Sequence, residues 1–91
     1  AKLQDHLKVP KQEQRITAGC AAHAVLLAAF ALGVGAVWRT GELSYSAQVA
    51  KGLGLEADEE VVAFLYLGTP QHPPRTAPKL DTADFVSEWQ G

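Results

Sequence analysis

The stretch "KQEQRITAGCAAHAVLLAAFALGVG", Lys11 to Gly35, opens on five polar residues. From Ala18 to Val34 it then carries no Asp, Glu, Lys or Arg. Ala, Leu, Gln, Glu, Lys and Arg dominate it, all residues of high helix propensity, so it predicts a helix over roughly Gln12–Leu32. One apolar row runs Ile16, Cys20, Ala24, Leu27, Ala31 and Val34 in steps of three and four. The opposite side, with Ala21, Val25, Ala28 and Leu32, is apolar too. A helix apolar all round is expected to be buried all round. Cys20 then reads as a small interior residue and His23 as a hydrogen-bonded interior histidine. Gly33 and Gly35 end the helix.

A bilayer span needs about 20 apolar residues, and Ala18–Val37 comes close to that length. Alanine inserts weakly, Gly33 and Gly35 interrupt the run, His23 sits inside it, and no basic cluster flanks it. No membrane is therefore expected, and a membrane-associated hairpin is the outlying alternative. Such small side chains suit close packing in a soluble core or across a dimer interface. A chain of 91 residues is too short to surround this helix alone, so a homodimer built on Thr17–Leu32 is expected.

Outward from the helix, residues 1–10, "AKLQDHLKVP", form a polar lead-in ending in Pro10. It shows no signal-peptide pattern. The chain opens on Ala1 and has no methionine, and it reads as a piece of something larger. "AVWR" predicts a short strand. "SYSAQVAKGLGL" predicts a short helix capped by Ser44 or Ser46 and stopped by Gly54. Asp58, Glu59 and Glu60 read as a solvated acidic turn. Val61–Leu67 is continuously apolar, which suits a central strand covered on both faces and ended by Gly68 and Pro70. Beyond it, Pro73, Pro74 and Pro78 impose an extended arm, residues 70–91. Its Leu80, Phe85, Val86 and Trp89 need a surface, this protein's own or a partner's. The fold class is α+β: a lead-in over 1–10, a helix–strand–helix–strand core over 11–69, and the arm.

A formal net charge of -2 with no basic stripe gives no case for nucleic acid. Cys20 is the only cysteine, which excludes an internal disulfide and fits a reducing, cytoplasmic compartment. His6, His23 and His72 share no metal-ligand spacing, so no metal is expected. "GVGAVW" lacks a third glycine and stands after a helix and before a strand, the reverse of a dinucleotide-binding turn. No Ser/His/Asp constellation appears, and no catalytic residue is assigned. "WRTG", Trp38 to Gly41, keeps two readings. It is a strand end with Arg39 in a surface ion pair, or it is a ligand loop. In the second reading Trp38 supplies a ring, Arg39 a planar permanent cation, and Thr40 and Gly41 backbone N–H donors.

The order of these pieces, "HLKVPKQEQRITAGCAAHAVLLAAFALGVGAVWRTGEL", then "LGL", an acidic turn and "VVAFLYLGTP", resembles the C-terminal half of a small FMN-dependent NAD(P)H nitroreductase of the short bacterial branch. The resemblance covers nearly all of the chain and is weakest in the last fifteen residues. It implies an α+β homodimer with FMN at the dimer interface, long helices packed across that interface, and an arm that embraces the other subunit. It implies alternation between NAD(P)H and nitroaromatic or quinone-like acceptors. Carried over by position, Trp38, Arg39 and Thr40 match the flavin-contacting loop, with the Thr40–Gly41 backbone near the reactive edge of the ring. Ala28, Ala29, Phe30, Ala31, Leu32 and Gly33 match a segment assigned to the nicotinamide nucleotide. The family's Arg-rich flavin-phosphate motif has no counterpart in these 91 residues, so the resemblance implies that half of the flavin site lies outside them. The rival expectation is a non-catalytic dimerisation or flavin-binding remnant.

Overall fold

The computed structural model describes all 91 residues. Helix α1, Lys11–Ala31, is followed by strand β1, Gly35–Arg39, a 3₁₀ turn at Glu42–Tyr45, helix α2, Ala47–Gly52, and strand β2, Phe64–Gly68. No side chain caps α1 directly. The Gln14 amide binds the lead-in to its first turn instead. Its Nε2 donates to the carbonyls of Gln4 (2.8 Å) and Val9 (2.9 Å), and its Oε1 accepts from the Gln4 N–H (2.9 Å). At the other end Gly33 takes φ +75°, a left-handed conformation that favours glycine. The Val34 N–H then donates back to the Ala29 carbonyl at 2.9 Å, and the chain reverses.

β1 therefore runs back along α1. The Trp38 ring lies 3.9 Å from where a Cβ on Gly19 would stand, an ordinary contact distance, so the ring sits on this face of the helix and an alanine would fit there too. β1 pairs antiparallel with β2, from Gly35↔Gly68 to Arg39↔Phe64. The lead-in closes the other side. Leu3 N–H donates to the Asp58 carbonyl (2.8 Å), and Glu60 N–H to the Ala1 carbonyl (2.8 Å). The acidic turn is thus an anchor as well as a solvated surface. The Arg15 fork reinforces it, with Nε and Nη2 2.7 and 2.8 Å from the Glu60 carboxylate.

Several expectations are corrected. α1 is not buried on all sides within this chain: Ala29 is its one buried residue, while Phe30 and Leu32 are 82% and 80% exposed. Cys20 is exposed rather than interior. His23 is exposed too and makes no hydrogen bond. The cause is the amount of cover: one two-stranded sheet shields only one side of the helix. Leu3 and Ala29 are the only buried residues of the whole chain. Its accessible surface is 8243 Å², against about 5,100 Å² for a compact monomer of this mass. Its radius of gyration is 17.5 Å, against about 12 Å for a compact domain of this length.

The strand predicted from Val61 begins at Phe64 and runs through Gly68. β1 is its only neighbour, so it is not a central strand here and its other edge is open. The short helix splits. Ser46 is the cap of α2, its Oγ accepting from the Val49 N–H at 3.3 Å, while Ser44 falls in the preceding 3₁₀ turn. The arm makes a 3₁₀ turn at Thr82–Asp84 capped by Asp81, but Leu80, Phe85, Val86 and Trp89 remain exposed. They do not lie on this chain. By length and composition alone α1 could cross a bilayer. Here it packs one face on the sheet and leaves the rest uncovered.

Candidate functional site

Alternation along β1 separates the residues of the "WRTG" loop. Trp38 turns toward α1 and is half-buried, while Arg39 points the other way and is exposed. The indole therefore braces the strand on the helix, and the guanidinium is presented outward. No carboxylate lies within ion-pair distance of Arg39. The ion pairs of the chain are Lys2 with Glu56 and Asp58, Lys11 with Asp5, and Arg15 with Glu60. Of the two readings of Arg39, the surface ion pair is thus absent.

Thr40 and Gly41 leave the strand. Gly41 adopts φ +80° with open space where a Cβ would stand, so the obstacle to a side chain there is backbone strain rather than crowding. Its carbonyl accepts from both the N–H (3.2 Å) and the Oγ (2.7 Å) of Ser44. The N–H groups of Thr40 and Gly41 have no partner within the chain. One unpaired fixed cation and two free N–H donors form a donor-only set. Such a set suits an acceptor-rich ligand: phosphate oxygens, or the carbonyl oxygens and ring nitrogens of a heterocycle.

The segment from Ala28 to Gly33 occupies the last turn of α1 and its cap. Ala29 is buried. Phe30 and Gly33 line a cleft of ≈ 420 Å³ together with Leu26, Val34, Gly35, Ala36, Pro70, His72 and Pro74, whereas Ala28, Ala31 and Leu32 do not. Its walls are mainly apolar, and His72 is its single titratable residue. The cleft lies at the start of β1 and the WRTG loop at its end, about 13–16 Å along the strand. This chain by itself does not bring the two candidate segments together.

Glu56, Asp58 and Glu59 gather their carboxylates within 4.8 Å at the acidic turn, where Lys2 contacts Glu56 and Asp58. At the same turn Glu60 is held below the usual carboxylate range, chiefly by its hydrogen bonds from Arg15 and against a smaller opposing effect of desolvation. Reading residue by residue missed two polar devices: the Gln14 clamp and the Ser44 bond to Gly41. A hydroxyl three residues after a glycine that must turn is a local signal for the second. The first joins Gln14 to residues five and ten positions back, across Pro10, and has none.

The model of the Nitroreductase family matches residues 1–69. The chain is 42% identical over 88 residues to "Putative NAD(P)H nitroreductase YdjA" of Escherichia coli strain K12, covering 96% of this chain and 48% of that protein. It is 35% identical over 81 residues to "Putative NAD(P)H nitroreductase" of Haemophilus influenzae, covering 88% of this chain and 44% of that protein. The chain thus spans about half the length of the curated relatives it matches. Among solved structures, a nitroreductase-like family protein from Bacillus cereus superposes with a TM-score of 0.81 over 99% of this chain and 47% of that one, at 20% identity. That likeness supports the α+β fold class of the chain.

Proposed function

Because the chain belongs to the nitroreductase family, we propose that it forms part of a cytoplasmic FMN-dependent oxidoreductase. The reaction is hydride transfer from NAD(P)H through flavin to a nitroaromatic or quinone-like acceptor. FMN, when bound, supplies the redox chemistry, and the protein supplies binding, orientation and electrostatics. Arg39 holds the flavin by charge, at its phosphate or its pyrimidine side. Thr40 and Gly41 offer their backbone N–H groups to its heteroatoms. Trp38 fixes the strand from which these groups project. Phe30 and Gly33, of the Ala28–Gly33 segment, contribute the cleft face for the nicotinamide nucleotide. The working unit is a homodimer joined through Thr17–Leu32 of α1 and through the arm.

The observation that carries this reading is the unpaired Arg39 charge beside the two unpaired N–H groups of Thr40 and Gly41. A charged hydrogen bond is worth about 1.5–3 kcal/mol. Arg39→Ala should therefore weaken FMN binding by about that much, with little change in melting temperature, since the side chain is exposed. Thr40→Ala should cost less, because the backbone N–H stays. Flavin fluorescence titration of the full-length gene product and both variants measures this, and unchanged affinity in Arg39→Ala would refute it. A second reading, a flavin-binding or dimerisation unit without catalysis of its own, draws on the two buried residues alone. A yellow full-length protein that oxidises NAD(P)H only when an acceptor is present excludes it.

A further inference from the structure

Gly41 is required at φ +80°, but a glycine that can enter this conformation can also leave it. Something must hold the turn if the Thr40 and Gly41 N–H groups are to stay in place. We infer that Ser44 is the positioning residue of this loop: its hydroxyl tethers the Gly41 carbonyl, which closes the turn immediately after the two N–H donors and limits the swing of the Thr40–Gly41 segment toward a flavin. This rests on the reading of the loop as a flavin contact. The Gly41 carbonyl takes two donors from one residue, the Ser44 N–H at 3.2 Å and the Oγ at 2.7 Å. The first belongs to the 3₁₀ turn itself. The second is the only hydrogen bond the Ser44 hydroxyl makes. Helix capping does not need that hydroxyl, because Ser46 caps α2. Ser44 as a residue is half-buried, while the bond itself is open to solvent and rests on its short 2.7 Å geometry. Two acceptor bonds on one carbonyl define the Gly41–Glu42 peptide plane, and with it the turn that leads out of β1. Arg39 supplies charge and Ser44 supplies order; Ser44 touches no ligand.

The test uses the full-length gene product with Ser44→Ala, Ser44→Thr and Arg39→Ala, titrated with FMN by flavin fluorescence. Each is also checked for its bound-flavin absorption spectrum and thermal midpoint. Ser44→Ala should weaken FMN binding about threefold to tenfold and shift the bound-flavin bands, with the midpoint unchanged. Ser44→Thr, which keeps the hydroxyl, should restore both. If Arg39→Ala weakens binding and Ser44→Ala does not, the positioning role is overturned and the loop reading stands. If neither variant changes affinity, both fall. If Ser44→Ala lowers the midpoint and Ser44→Thr restores neither affinity nor spectrum, the residue is structural and the inference is overturned.

Discussion

The two ends of the chain are both irregular, yet they are held in opposite ways. Residues 1–10 are tied down by backbone bonds to the acidic turn, by the Gln14 amide and by the Lys11–Asp5 pair. Residues 70–91 fold on themselves once, at Asp81–Val86, and leave Phe85, Val86 and Trp89 in solvent. The lead-in is polar and finds polar partners on its own chain. The arm starts against an apolar cleft of its own chain, where Pro70, His72 and Pro74 meet Leu26, Phe30 and Val34, but its distal Leu80, Phe85, Val86 and Trp89 stay exposed. The lesson is that irregular backbone is not one state. What decides its behaviour is whether its side chains can be satisfied locally.

The largest effect should come from removing the arm. Complete burial of a large apolar side chain is worth roughly 1.5–3 kcal/mol. Truncation after Gln71 should therefore weaken self-association by several kcal/mol through loss of Phe85 and Trp89, read by sedimentation across a concentration series. Equal association by the shortened chain would make the arm a mere tail and erase the contrast between the ends. Next in size, Gln14→Ala removes three hydrogen bonds that hold the lead-in. Exposed hydrogen bonds are worth about 0.5–1.5 kcal/mol each at most, so a loss of about 1–2 kcal/mol in unfolding free energy is expected. Faster amide exchange at Gln4 should accompany it.

The smallest effect concerns pH. Glu60 is held below its ordinary range by Arg15, so the pair stabilises the folded chain above the unfolded carboxylate pKa. That contribution fades as pH falls through the depressed folded value. Both groups are solvent-exposed, so the change should be slight. Glu60→Gln should flatten the acid side of the melting-temperature profile while leaving its neutral plateau close to that of the unaltered chain. An unchanged acid limb would mean that the pair contributes nothing.

The helix, the two strands apart from the start of β2, the Ser46 cap of α2 and the Gly33 and Gly54 stops were legible, because each is set by residues within a few positions of one another. The excess of apolar surface on α1 was legible as well. What the apolar pattern does not carry is the identity of the cover, and for that reason Cys20 and His23 were misplaced in an interior that this chain does not form. β2 was read as central for the same reason: its two apolar faces announce neighbours, but only β1 is supplied here. In the candidate site, the residue types at Arg39 and Gly41 point to a fixed cation and a permissive turn, and the structure shows Arg39 exposed and Gly41 at φ +80°. The Trp38 contact with Gly19 was not foretold, since it depends on how far back along the helix the strand travels.

The near absence of buried residues makes the source of the missing cover readable from how stability depends on concentration. With only Leu3 and Ala29 buried, and neither completely, the chain needs further cover on α1 and on the open edge of β2. Where that cover is a second copy, the unfolding midpoint rises with the logarithm of protein concentration. Where it is further sequence of the same polypeptide, the midpoint does not move. Dilution thus becomes a denaturant in the first case and an inert variable in the second, and a plain melting curve recorded at several concentrations tells the two apart.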